Sequence, residues 1–202
     1  MANSILQRDM VGMPIVVPSR PAGPKARGAT HGYPVARLRP VEHLRVMRGG
    51  SQPHLVRADD GQWYIIKALN NPQHPRVLAN EWIASGIAVA LGLSIPPIAI
   101  VDLTPEFIRT SPDLVLHCRG ARIPLVPGPA FGSRFPASSI AGPVVDYLPE
   151  SGLALVENID EFVGAMVFDK WICNCDSRQV IFCRPRARAR IRAFFIDHGF
   201  AF

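Results

Sequence analysis

The sequence predicts an α+β fold, in which strands follow one another instead of alternating with helices. Three short strand-like segments come first, separated by a glycine pair and by an Asp-Asp-Gly turn. A long helical pattern and a further strand follow, and a second long helix then precedes two strands near the C terminus. Consecutive strands are typical of antiparallel sheets, whereas a doubly wound parallel sheet alternates strand and helix.

The composition indicates a globular chain with a basic surface. Of the 202 residues 48% are hydrophobic, the mean hydropathy is +0.15 and the net charge is +6, which excludes global disorder. A basic balance favours anionic partners such as nucleotides, nucleic acid or acidic lipid, and a basic surface without a partner fits equally well. Four cysteines are too few for a disulfide scaffold, and we find neither a signal-like N terminus nor a membrane span. We therefore expect a cytoplasmic protein.

The first three strands are marked by β-branched and aromatic residues. The segments 43–48 and 54–58 flank Gly49-Gly50-Ser51, and the strand 63–69 follows the tight turn of residues 59–61. Alternation in the third strand predicts that one of its faces carries Trp63, Ile65, Lys67 and Leu69.

Helical spacing of apolar residues predicts a long helix over residues 76–93, ended by Gly92. Its predicted core positions are Leu78, Trp82, Ile83, Ile87 and Leu91. After the strand 98–103, Thr104 is suited to cap a short helix with Pro105 at its first position.

The second half of the chain is less regular. Residues 111–142 contain Pro and Gly throughout and are predicted to be irregular. A second long helix is predicted over residues 159–173, with Phe162, Met166, Phe168 and Trp171 among its apolar positions. The segments 180–184 and 190–197 are predicted as paired strands joined by an arginine-rich turn.

Lys67 is one of only three lysines and lies between apolar neighbours in a predicted strand. Burying an unpaired ammonium group is unfavourable, so Lys67 needs an anionic partner. Glu81, in the first turns of the following helix, is the candidate. Protein kinases hold nucleotide phosphates with such a strand lysine and helix glutamate. A structural ion pair, or a lysine that extends to solvent, would have the same sequence.

Gly49, Gly50 and Ser51 join two strands directly before the lysine strand. Glycine lets a backbone turn approach a ligand closely and point its N–H groups at phosphate. An ordinary hairpin turn is the alternative.

Two aspartates near the C terminus complete the set of candidates. Asp176 follows the second long helix and Asp197 ends the last strand, so pairing of the two intervening strands would bring them together. One carboxylate can orient a hydroxyl and accept its proton while the other binds Mg²⁺. Asn174 and Gln179 add amide oxygens that suit a hard cation. Two aspartates that cap turns would give the same pattern.

These features occur in the order found in kinases, and from about His43 to Phe202 the chain resembles the HipA-like kinases. The resemblance is carried by RGGSQPHLVRADDGQWYIIK, NNPQHPRVLANE, FGSR, VFDKWICNCDSRQVIF and FIDHGFAF. The last two segments are the most distinctive.

The resemblance implies a role for each candidate. Lys67 contacts the phosphates of ATP with Glu81 as its partner, Asp176 is the catalytic aspartate, and Asp197 binds Mg²⁺. The turn at Gly49, Gly50 and Ser51 covers the phosphates. The segment 144–148, with Val145, Asp146 and Tyr147, corresponds to the hinge that holds adenine. The implied reaction transfers the γ-phosphate of ATP to a serine or threonine hydroxyl.

The resemblance also implies a two-lobed, protein-kinase-like fold. We expect a flexible arm over residues 1–40, an N-terminal lobe over 41–148 with an antiparallel sheet and one helix, and a small C-terminal lobe over 149–202. The chain ends five residues after Asp197, which is short for a complete C-terminal lobe.

The catalytic segment departs from the family pattern, because relatives carry Asn five places after the catalytic aspartate and this chain has Ile181. Gln179 or Asn174 would have to supply the second metal ligand. A pseudokinase or nucleotide-binding interaction module is therefore an alternative function. A nucleic-acid-binding regulator that uses the arginine-rich turn 184–192 is another, ranked last because no helix-turn-helix pattern is evident. The sequence does not identify the phosphoacceptor.

Overall fold

A computed structural model describes residues 35–137, 144–176, 179–184 and 189–202, all within one compact unit, Tyr33–Phe202. Residues 1–34 of the predicted arm, residues 177–178 after Asp176 and residues 185–188 of the arginine-rich turn lie outside the described residues, as do residues 138–143.

Within these ranges the predicted strands, the two long helices and the C-terminal hairpin are present in the predicted order, which confirms the α+β class. The helices are α1 (Arg76–Ala90), α2 (Pro105–Thr110), α3 (Glu150–Leu153) and α4 (Glu161–Trp171). The strands are β1 (Ala36–Leu38), β2 (Pro40–Val46), β3 (His54–Ala58), β4 (Trp63–Lys67), β5 (Ile98–Leu103), β6 (Val115–Cys118), β7 (Ala121–Pro124), β8 (Gly128–Arg134), β9 (Val144–Val145), β10 (Gln179–Cys183) and β11 (Arg192–Ile196). No helix of this described part is long and apolar enough to cross a membrane.

The larger sheet has six strands in the order β1-β5-β8-β4-β3-β2. Its pairs are antiparallel except for β1 with β5, which is parallel. Residues 36–40, predicted as part of the flexible arm, belong to this sheet. An ion pair between Arg37 and Asp102, with nitrogen–oxygen distances of 2.5 and 2.8 Å, links β1 to β5. Pairing of β1 with β5 thus orders part of a segment whose composition is typical of a flexible arm.

The prediction that residues 111–142 are irregular was wrong, because this segment contains the β6–β7 hairpin and β8. β8 lies in the middle of the six-stranded sheet, between β5 and β4, and includes the FGSR segment. Its glycines hid the strand pattern. A Cβ atom at Gly132 would lie 2.8 Å from Val101 Cγ2 and 3.0 Å from the carbonyl oxygen of Ala99. Glycine is therefore needed here for close approach to β5.

The two faces of this sheet are covered by different elements. On one face, α2 and the β6–β7 hairpin enclose the largest buried apolar cluster, which includes Val56, Ile66, Val101 and Leu114. Thr104 caps α2 as predicted, because its hydroxyl accepts a hydrogen bond of 3.1 Å from the Phe107 N–H. The other face packs against α1.

Three of the five predicted core positions of α1 face the core, since Leu78 is buried and Trp82 and Ile87 pack against buried clusters.

The other two positions differ from the prediction. Ile83 and Leu91, predicted to face the core, are 52% and 57% exposed. Small side chains are buried instead, with Ala84 and Ala88 packing in one cluster with Phe168 of α4. Small residues let the two helices approach closely, so residue size determined the buried face more than hydropathy did. Met166 and Trp171 of α4, also predicted as apolar helix positions, are likewise exposed.

The second sheet, β11-β10-β9, forms the predicted C-terminal hairpin with one short additional strand. β10 and β11 pair antiparallel, with Gln179 opposite Ile196. Asp176 precedes β10 and Asp197 follows β11, so both aspartates lie at the same end of the hairpin, as the spacing predicted.

We expect Gly132→Ala to reduce the free energy of unfolding by about 1–3 kcal/mol, because the added methyl group would force β5 and β8 apart. Gly86→Ala is the matched control, since a Cβ atom there meets nothing within 4 Å on α1 and alanine favours helix by about 0.5–1 kcal/mol. Urea unfolding of both variants measures the difference. Equal stability of the two variants would contradict the close packing of β8 against β5.

Candidate active site

A cavity of about 620 Å³ opens between the six-stranded sheet, α1 and the C-terminal hairpin, a volume within the usual range for small-molecule sites. Residues from β4, α1, β8, β9, β10 and β11 line it. A second cavity, of about 550 Å³, lies along β2 and contains none of the predicted site residues.

Lys67 is the last residue of β4 and lines this cavity. It is the positively charged member of a buried cluster with Glu81 and Asp197. Its ammonium nitrogen lies 2.5 Å from Glu81 Oε1 and 2.9 Å from Asp197 Oδ1. The side chain of Lys67 is 7% exposed and that of Glu81 2%. The predicted ion pair between Lys67 and Glu81 is therefore confirmed, and Asp197 joins it as a second anion.

Glu81 reaches the cluster from α1 and also bonds the segment after β11. Its second carboxylate oxygen accepts a hydrogen bond of 3.1 Å from the His198 backbone N–H. One residue earlier on α1, the Asn80 amide donates to the carbonyl oxygens of Gly199 and Ala201. A Cβ atom at Gly199 would lie 2.8 Å from Val77 Cγ1, so glycine is required for this contact with the helix.

The charges in the cluster shift one another's pKa values. Burial opposes the charged form of Lys67, but Glu81 and Asp197 together outweigh it and raise the pKa of the ammonium group. Burial likewise opposes ionisation of Asp197, and the neighbouring Lys67 overcomes it and lowers the pKa of that carboxyl group. For the more deeply buried Glu81, burial prevails over Lys67 and raises the pKa.

Asp197 has a strained backbone, with φ at +60° in the left-handed region. This conformation is uncommon for a residue other than glycine. The neighbouring contacts hold it in place, because its side chain bonds Lys67 and the next residue, His198, bonds Glu81. Strained residues of this kind cluster at functional sites.

Asp176 and Asn174 lie outside the lining of the cavity. Asp176 is exposed, and its backbone N–H donates to Asn174 Oδ1 at 3.4 Å. The amide nitrogen of Asn174 donates to Asp169 on α4 at 3.0 Å. Asn174 is thus engaged at both ends of its side chain, and these bonds fix the turn that carries Asp176.

Gln179 and Ile181 both line the cavity. They belong to β10, two residues apart, so their side chains point to the same face of that strand. Of the two amides predicted as metal ligands, Gln179 is therefore the one that shares the cavity with Asp197.

The predicted hinge and the predicted glycine turn each contribute in part to the lining of the cavity. Val144, Val145 and Asp146 line the cavity, while Tyr147 does not and is 73% exposed. Gly49, Gly50 and Ser51 do not line it either, although both arms of their turn do, through residues 45–48 and Pro53. Gly49 has φ at +131°, a conformation that favours glycine.

Sequence reasoning missed several residues that line the cavity. Phe131, Ser133 and Arg134 come from β8. Arg45 and Arg48 belong to the first arm of the glycine turn. The alternation within FGSR was the available signal, and it was lost because the surrounding segment was predicted to be irregular.

We expect Lys67→Met to reduce the free energy of unfolding by about 3–5 kcal/mol, because it leaves a buried carboxylate without its cation. Adding Glu81→Gln in the same chain should recover part of that loss. A double-mutant cycle by urea unfolding measures the coupling between the two side chains. Effects that simply add in the double variant would contradict a coupled ion pair.

Comparison with solved structures shows what the fold of this chain is similar to. The fold is similar to that of a Golgi casein kinase in a crystal structure with Mn and ADP bound, with a TM-score of 0.50 and 16% identity over 81% of this chain. A second crystal structure of Golgi casein kinase aligns with a TM-score of 0.49 and 15% identity over the same share of this chain. In both cases the chain spans 55% of the length of that kinase, and at such identity the similarity concerns the fold alone. No curated protein matches the sequence.

A family model described as HipA-like kinase matches residues 42–202. This range contains β3, β4, α1 and the C-terminal hairpin, and so every residue of the charged cluster. The chain therefore belongs to the HipA-like kinase family.

Proposed function

We propose that the chain binds ATP with Mg²⁺ and transfers the γ-phosphoryl group to a hydroxyl group, of the serine or threonine type. The observation that carries the proposal is the buried cluster of Lys67, Glu81 and Asp197 in a cavity of about 620 Å³. A lysine shared by two carboxylates is expensive to bury for stability alone. Its position at the wall of a cavity supports a role in binding.

Lys67 is the residue proposed to contact the phosphates. Its raised pKa keeps the ammonium group charged at neutral pH, and Glu81 holds it at the end of β4. A positive charge fixed in advance stabilises developing charge on a transferred phosphoryl group without reorganisation during the reaction.

Asp197 is the residue proposed to hold the cation. Its pKa is lowered, so it offers an ionised oxygen ligand, and Mg²⁺ is commonly held by one or two carboxylates together with substrate phosphates. Among the described residues no group of three or more His, Cys, Asp or Glu is arranged to hold a metal. The donor set fits a cation completed by the phosphates, with the amide oxygen of Gln179 as the second protein ligand. The ion would neutralise phosphate charge. The Golgi casein kinase crystal structure, which has Mn and ADP bound, supports a nucleotide with a divalent cation as the ligand.

The adenine is proposed to lie against β9. Val144, Val145 and Asp146 line the cavity there, and the apolar residues Ile65, Phe131 and Phe195 line the same cavity. A cavity lined in this way suits adenine, which is a flat ring with apolar faces and hydrogen-bonding edges.

Asp176 is proposed to act on the acceptor. It lies at the same end of the hairpin as Asp197 but outside the cavity lining, which supports a role towards an incoming hydroxyl group rather than towards the nucleotide. Its carboxylate would orient that hydroxyl for in-line attack and receive its proton as the new phosphorus–oxygen bond forms. The rest of the rate gain would come from alignment of the two reactants.

A second candidate function is nucleotide binding without phosphoryl transfer. The observation that favours it is Ile181, which lines the cavity where the family pattern has a metal-binding asparagine. An apolar side chain there removes one ligand. In this case Gln179 does not compensate, and the cation is held too loosely for turnover.

We expect Asp176→Asn to leave the Kd for ATP within about twofold and to lower phosphoryl transfer at least about a hundredfold, because the amide keeps the shape but cannot accept the proton. Asp197→Asn is the matched variant at the proposed cation ligand. It should abolish the effect of Mg²⁺ on ATP affinity. Calorimetric titration and transfer of labelled γ-phosphate to protein or water measure the two effects.

Equal transfer by wild type and Asp176→Asn would contradict the role of Asp176. ATP binding by both proteins with no transfer by either would favour the second candidate function. An unchanged Mg²⁺ effect in Asp197→Asn would show that the cation binds elsewhere.

A further inference from the structure

We propose that Gln52 is a positioning residue, whose side-chain amide fixes the glycine turn (residues 47–53) and so raises the affinity for the phosphate groups of a nucleotide. The inference rests on the proposed function, because it concerns the same cavity. It assigns a role to the β6–β7 hairpin, which the proposed mechanism does not use.

The amide of Gln52 bonds one residue of the hairpin twice. Its nitrogen donates to the carbonyl oxygen of His117 at 2.9 Å, and its oxygen accepts from the His117 backbone N–H at 2.7 Å. The two bonds run in opposite directions, as between neighbouring residues of paired strands. The side chain of Gln52 therefore attaches the turn to β6 as a short additional strand would.

The hairpin is a rigid anchor for this attachment. Leu114, Leu116 and Leu125 at its base are 0%, 3% and 2% exposed and belong to the main apolar cluster of the six-stranded sheet. Burial of three leucines against a sheet resists displacement, because any movement would open a cavity. A group bonded to His117 is thus held by the core of the domain.

The two glycines of the turn do little to fix its conformation. Gly49 and Gly50 carry no side chains, and Gly49 has φ at +131°, a region open only to glycine. Two backbone hydrogen bonds close the turn, from Met47 to Pro53 at 2.7 Å and from Gln52 to Gly49 at 3.0 Å. Glycine-rich segments lose much conformational entropy when ordered, so an outside attachment raises the fraction of time that the turn occupies this arrangement.

The position of the turn matters for the cavity because both of its arms line it, through Met47 and Arg48 on one side and Pro53 on the other. A turn that occupies its binding arrangement only part of the time binds phosphate with an affinity reduced by that fraction. Loss of the Gln52 amide should therefore weaken the binding of ligands that carry phosphates and leave the affinity for ligands without phosphates unchanged.

Asn70 provides a matched control. Its amide also makes two bonds to the backbone near the hairpin, donating to the Pro124 carbonyl oxygen at 3.0 Å and accepting from the Val126 N–H at 3.3 Å. It follows β4 rather than the glycine turn. Asn70→Ala removes the same kind of attachment and leaves the turn bonded to His117.

The test compares the affinities of ATP with Mg²⁺ and of adenosine in wild type, Gln52→Met, Gln52→Asn and Asn70→Ala. Methionine keeps the length of the side chain without either bond, and asparagine keeps an amide that is too short to make both. We expect both Gln52 variants to bind ATP about tenfold more weakly, which corresponds to about 1.4 kcal/mol, with adenosine affinity unchanged. Asn70→Ala should lower the melting temperature and leave the ratio of the two affinities as in wild type.

A Gln52 variant with the wild-type ratio would overturn the inference and leave the proposed function intact. A ratio changed equally by Asn70→Ala would also overturn it, because general loosening of the hairpin would then explain the effect. Failure of the wild-type chain to bind ATP would contradict the proposed function and this inference together.

Discussion

The site depends on the carboxylate of Glu81, which is 2% exposed and binds two parts of the chain at once. One oxygen holds the ammonium group of Lys67 at the end of β4, and the other accepts the backbone N–H of His198 just after β11. A buried carboxylate is stable only when its oxygens are paired or hydrogen-bonded. Glu81 therefore requires that α1, the six-stranded sheet and the segment after β11 come together around it. Asp197 is held in position by its own ion pair with Lys67 and by the bond of the next residue, His198, to Glu81.

The same arrangement explains why the site carries strain. Asp197 has a left-handed backbone conformation, and the cluster contains two carboxylates for one lysine. Each of these features is unfavourable by itself. They are held by the buried apolar contacts around them, in particular the close approach of Gly199 to α1 and the packing of Ala84 and Ala88 against α4. A phosphate-binding role would give this arrangement a purpose that stability alone does not.

Part of this arrangement could be predicted from the sequence, because some residues require a particular kind of partner. An apolar strand containing Lys67 required a nearby anion, and Glu81 was the acid that the next helix brought within reach. The pairing of the two C-terminal strands, which brings Asp176 and Asp197 to the same end of the hairpin, followed from the spacing between them. β8 could not be predicted in the same way, because Gly132 is there for a contact with β5, which is distant in sequence. The buried face of α1 was predicted only in part, since hydropathy favours Ile83 and Leu91 while helix packing favours alanine.

The most direct test of the account is a crystal structure of the chain with ADP and Mn²⁺, whose anomalous signal locates the cation independently of the protein density. We expect the Mn²⁺ peak about 2.1 Å from a carboxylate oxygen of Asp197, and a phosphate oxygen within hydrogen-bonding distance of Lys67 Nζ, with the adenine beside β9. A nucleotide bound outside this cavity, or a cation remote from Asp197, would contradict the account.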